Sequence, residues 1–83
     1  MPRWPRRPKA NHALRADDMR RHPRMWIEVA VYNGPSSAKS TAREIRTGER
    51  IRRYLPAGAF ETRTAPVDTG TALYARYIGG PLT

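Results

Sequence analysis

Over residues 25–32 the chain alternates: Ile27, Val29 and Val31 fall on one side, and Trp26, Glu28, Ala30 and Tyr32 on the other. Period two predicts a strand, because successive side chains point to opposite faces. Apolar groups occur on both sides, as in a strand with neighbours on each edge. Asn33-Gly34-Pro35 then signals a turn. From Ser36 or Ser37, either of which can act as the N-cap, the spacing predicts a helix to about Thr47. Ala38, Ala42 and Ile45 recur at i, i+4 and i+7 and mark its buried face. Two of the three are alanine, so the helix can lie close to a sheet. Gly48 stands where a left-handed residue ends a helix.

On the N-terminal side, residues 11–22 predict a short helix, capped by Asn11 or Asp17, with Leu14 and Met19 as a thin apolar stripe and Pro23 as its stop. On the C-terminal side, residues 50–55 read either as an irregular link or as a short edge strand. Residues 59–65 predict a strand anchored by Phe60. Asp68-Thr69-Gly70 signals a hairpin. Residues 71–78 predict the last strand, with Leu73, Ala75 and Tyr77 on one face and Tyr74, Arg76 and Ile78 on the other. The order is β-α-β-β. It implies a small α+β domain over residues 11–83, in which a three-stranded, mostly antiparallel sheet is packed by one main helix. A right-handed crossover is expected between the first two strands. One strand order inserts the last strand between the other two, antiparallel to both. Residues 1–10 hold three prolines and the cations Arg3, Arg6, Arg7 and Lys9. Proline lacks a backbone donor and turns the preceding residue from helix, so this segment predicts an extended basic arm.

Length sharpens the picture. A chain of 83 residues supports one small core and buries only about 60% of its unfolded surface. Without cysteine it has neither a disulfide staple nor a thiolate metal site. A homodimer joined at edge strands is one way to bury more apolar surface. No apolar run is long enough to span a bilayer, and no apolar stretch of the export type follows the basic N-terminus. The expected location is therefore the cytoplasm or nucleoid, with no membrane partner.

Charge changes the picture most. Sixteen Lys and Arg face seven Asp and Glu, a net +9, and the isoelectric point is near 11.3. Such a balance is the electrostatic footprint of a nucleic-acid binder, and it also suits an acidic protein surface. Fourteen of the sixteen cations are arginine, whose planar fork pairs bidentately with phosphate. GC-rich coding accounts for much of the preference for arginine over lysine, but not for the net charge. Lys39, Arg43, Arg46 and Arg50 recur at intervals of 4, 3 and 4 residues. At roughly 100° per residue they fall within an arc of about 60°. Arg52 and Arg53 add two cations beyond Gly48. Tyr54, Tyr74 and Tyr77 are placed either to pack a small core or to stack unpaired bases.

Catalytic patterns are missing. There is no phosphate-binding Gly-Lys-Ser/Thr loop, no His-Glu-x-x-His and no cysteine nucleophile. Asp17 and Asp18 are adjacent and diverge on a helix, so they favour its N-terminal region rather than clamping a metal. His12 and His22 lack a third ligand. No enzyme, cofactor or metal is expected. The strand Trp26–Tyr32, the helix residues Ser37, Ala38, Ala42, Ile45, Arg46 and Gly48, the segment Pro56–Glu61 and the run Tyr74–Tyr77 resemble small basic proteins of actinobacteria and their phages. The resemblance covers about two thirds of the chain and implies a phage or mobile-element accessory protein; it supplies no catalytic residue. The leading expectation is nucleic-acid binding, DNA ahead of RNA, through Arg3, Arg6, Arg7, Lys9, Lys39, Arg43, Arg46, Arg50, Arg52 and Arg53. Two alternatives stay open: a module that binds an acidic host protein, and a virion component.

Overall fold

The computed structural model describes residues 10–79. Their order is α1 (His12–Arg21), β1 (Ile27–Tyr32), α2 (Pro35–Thr47), a 3-10 turn (Arg52–Tyr54), β2 (Phe60–Val67) and β3 (Gly70–Tyr77). The strands form one antiparallel sheet in the order β1-β3-β2. This is the α+β arrangement that the sequence pattern implies, with the last strand inserted between the other two. The apolar groups on both sides of β1 therefore do not make it central; it is an edge strand. Residues 50–55 form a link carrying the 3-10 turn, not a strand.

Local chemistry explains the boundaries. Asn11 caps α1 by accepting the Leu14 N–H at 3.1 Å. Gly34 precedes α2, Pro35 occupies its first turn, and no side chain caps it. Proline suits that position because its missing N–H has no helical partner there. It starts the helix before either serine can cap it. Gly48 ends the helix at φ 67°, its N–H bonded to the Glu44 carbonyl at 2.8 Å.

Ala38, Ala42 and Ile45 form the buried face of α2, as their spacing predicts. On α1 the buried pair is Ala16 and Met19, whereas Leu14 is half exposed. Both helices contribute to one core, so the shorter helix is an integral part of the fold. Ala42 and Ile45 meet Ala16, Met19, Val29, Tyr54, Ala59, Phe60, Leu73 and Ala75 there. The alternation in β1 does not run straight through. Its register with β3 shifts between Glu28 and Ala30. Val29 and Ile27 face the core, but so do Ala30 and Tyr32, while Val31 does not. The extra residue resets the phase, as a bulge does.

A chain of rings runs through the core. His12 meets Tyr54 edge-on at 5.5 Å, Tyr54 meets Phe60 at 5.0 Å, and Phe60 meets Tyr77 at 5.2 Å. The Arg20 guanidinium lies 5.2 Å from the Phe60 ring centre and 5.7 Å from that of Tyr77. Edge-to-face rings add about 0.5–1.5 kcal/mol per pair beyond the area they bury.

Two glycines are held by what surrounds them. A β-carbon on Gly70, at φ 151°, would sit 2.0 Å from the Tyr32 carbonyl oxygen. On Gly48 it would meet the Leu55 side chain at 2.8 Å. Backbone cannot yield as a leucine tip can. Gly70→Ala is therefore expected to cost about 2–4 kcal/mol and Gly48→Ala about 1–2 kcal/mol. Urea denaturation midpoints check that order.

Candidate nucleic-acid interface

Helix α2 turns its alanines to the sheet, and Lys39, Arg43 and Arg46 are consequently exposed. Arg46 leans toward the neighbouring edge strand and donates from Nη1 to the Thr62 hydroxyl at 2.9 Å. Lys39, Ala42 and Arg46 line one wall of an open groove of about 260 Å³, and Thr62, Arg63 and Thr64 of β2 line the other. The groove brings together two cations, Lys39 and Arg46, two hydroxyls and no carboxylate; Arg63 lines it, but its guanidinium lies over Trp26 and Tyr74 on the other face of the sheet. Beside it, the outer edge of β2 has no strand partner among the described residues, so backbone donors face outward.

A second groove, of about 360 Å³, lies on the other flank of α2. Its lining includes Arg43 and Arg50 but also Glu44 and Glu49. Its charges cancel. Arg50 lies beyond the end of α2 and reaches Glu44 at 3.8 Å with 83% of its side chain exposed. An ion pair that open contributes little. The four-residue stripe expected from spacing therefore shortens to three, because the helix stops at Gly48 and Arg50 leaves its face. Arg52 and Arg53 are exposed on the 3-10 turn and line neither groove. Arg3, Arg6, Arg7 and Lys9 lie outside the described residues.

The tyrosines divide. Tyr54 is completely buried, and Tyr77 packs against the core, so neither is free to stack a base. Only Tyr74 lies on the face of the sheet away from the helices. The same face carries Trp26, which the tyrosine pattern does not include. Paired residues form rows there: Glu61 opposite Arg76, and Glu28 and Arg63 on either side of Tyr74. The Arg76 guanidinium lies 4.5 Å from the Trp26 ring centre, and that of Arg63 lies 5.4 Å from it and 5.9 Å from that of Tyr74. Arg76 also donates to Glu61 at 3.0 Å. The available signal was the alternation itself: Trp26 and Glu28 on one strand, Tyr74 and Arg76 on its antiparallel neighbour, all in phase away from the core.

His12 belongs to the core side. Its Nδ1 lies 2.8 Å from the Tyr54 hydroxyl, and with the ring neutral and its proton on Nε2, Nδ1 accepts that hydrogen bond. Burial lowers the His12 pKa, against a weaker upward pull from Glu44. Burial also pushes the Tyr54 hydroxyl upward. A depressed imidazole leaves the unfolded chain binding more protons, so its contribution to stability is complete above about pH 6.5 and lost as pH falls. The denaturation midpoint is expected to drop between pH 7.5 and 5.5, and to drop less in His12→Gln.

Among the described residues, no three His, Cys, Asp or Glu side chains gather as a metal site, and no helix is long and apolar enough to cross a membrane. Comparison with protein-family models, with curated proteins and with solved structures returns no match.

Proposed function

We propose that this chain is a small, non-enzymatic, nucleic-acid-binding accessory protein that holds phosphates along α2 and in the groove between α2 and β2. The observation that carries this reading is the unbalanced charge of that groove. Lys39 and Arg46 line it without a carboxylate, beside Thr62 and Thr64, while the Arg63 guanidinium is turned to the other face of the sheet. A phosphate about 4 Å from one such cation gains roughly 1 kcal/mol in bulk water and nearer 4 kcal/mol at the effective dielectric of a protein surface. Two cations add to that attraction, whereas in the opposite groove Glu44 and Glu49 offset Arg43 and Arg50. The chain's net +9 supplies the long-range field that steers a polyanion inward. The resemblance to small basic actinobacterial and phage proteins supports an accessory role of that origin.

Single substitutions test the assignment of phosphate contacts. Lys39→Gln and Arg46→Gln are each expected to flatten the log–log salt dependence of DNA affinity by about 0.9. Arg50→Gln, in the balanced groove, should leave the slope unchanged. Equal slopes for all three variants and the unmodified protein would place the phosphates elsewhere.

A further inference from the structure

The sheet face away from the helices differs from the groove in one decisive respect: its charges are balanced. Arg63 and Arg76 stand in rows with Glu28 and Glu61, and Arg76 is tied to Glu61. Such a face has little pull on phosphate. Its distinguishing content is planar: two aromatic rings, Trp26 and Tyr74, with two guanidiniums held over them. Neither ring is fully buried. Neutral bases stack on aromatic rings and on arginine planes alike.

We propose that this face is a base-stacking platform, and that the chain prefers single-stranded nucleic acid to duplex. The inference rests on the phosphate-binding reading of the adjacent groove and adds the class of strand bound. Arg63 is the hinge between the two surfaces. It lines the groove beside α2, and its guanidinium reaches Trp26 and Tyr74 on the open face. A strand following the β2 edge would leave phosphates near Lys39 and Arg46 and turn its bases onto the rings. Spacing excludes a duplex from this arrangement. Trp26 and Tyr74 lie in successive rows of the face, and rows two residues apart along a strand are separated by about 7 Å. That is roughly twice the 3.4 Å rise between stacked nucleotides, so bases seated on both rings must be unstacked from one another. Paired bases inside a duplex present no open face to either ring.

The test uses the full chain with Trp4→Phe, which leaves Trp26 as the fluorescent reporter, titrated with oligo-dT, oligo-U and a duplex of equal length. The expected result is tighter binding to at least one single strand than to duplex, with quenching of Trp26 fluorescence. Trp26→Ala, made in the unmodified chain, should lose about 5- to 100-fold in single-strand affinity, while Trp26→Phe, which keeps a ring, retains most of it. Duplex affinity should change little in either variant, which also shows that both remain folded. The dT and U arms tell DNA from RNA. Equal binding to single strands and duplex with unmoved Trp26 fluorescence would overturn the inference and leave the groove reading standing. Failure to bind any of the three would overturn both, as would a Trp26 response confined to an acidic polypeptide such as poly-Glu.

Discussion

Phe60→Ala is expected to lower the stability of the domain by about 3–5 kcal/mol, roughly a quarter or more of the total for a chain of this length. Phe60 is 2% exposed and sits between Tyr54 and Tyr77 in the ring chain, with Arg20 over its face. Truncating a buried phenylalanine costs about 3–5 kcal/mol, from lost transfer energy and from the cavity left behind. A domain of this length has about 4–12 kcal/mol in all. The site is poorly able to collapse, because its neighbours are anchored independently. Tyr54 is fixed by the His12 hydrogen bond, and Tyr77 is paired with position 60 across the strands. Its carbonyl also accepts the Arg24 N–H at 2.9 Å. Circular dichroism at room temperature and the urea midpoint check this. Phe60→Leu, which keeps most of the volume, should stay folded with a lowered midpoint.

The second large effect is on binding. Replacing Lys39 and Arg46 together by glutamine is expected to weaken nucleic-acid affinity by about two orders of magnitude at 0.1 M salt. The log–log salt slope should flatten by about 1.8, since each lost phosphate contact removes about 0.9. Both side chains are exposed, and among the described residues the only side-chain hydrogen bond they make is that from Arg46 to Thr62. The denaturation midpoint should therefore hardly move, which separates loss of contact from loss of fold. Anisotropy titrations at several salt concentrations measure both quantities.

Much of this architecture is legible in the sequence, and particular residues show why the rest is not. Helix α2 could be read because Ala38, Ala42 and Ile45 repeat at helical spacing and Gly48 supplies the left-handed stop. The hairpin could be read because Asp68, Thr69 and Gly70 leave few other options. The phase of β1 could not be read past Val29, because the bulge there carries no glycine or other marker and is dictated by pairing with β3. The central place of β3 is likewise a property of the sheet rather than of any one strand. Tyr54 looks available in the sequence beside Arg52 and Arg53, yet the 3-10 turn folds its ring inward to His12.

The site divides in the same way. Lys39, Arg43 and Arg46 share a helix and so announce themselves by spacing. Arg63 reaches the groove from a distant strand, and Trp26 meets Arg76 only because β1 and β3 pair. A surface assembled across strands leaves no local pattern. Arg50 shows the converse: it fits the helical spacing, but the helix ends at Thr47, three residues earlier.

The central claim is that this chain binds a polyanion through unbalanced surface cations, and the salt dependence of binding by the unmodified protein tests it most directly. DNA affinity measured by anisotropy between 50 and 200 mM salt should fall with a log–log slope near −5 if about six phosphates are neutralised, on duplex, with a shallower slope per contact on single strands. Binding no tighter than about 10⁻⁴ M at either salt, below the range of ordinary non-specific binders, or an affinity indifferent to salt, would contradict the account.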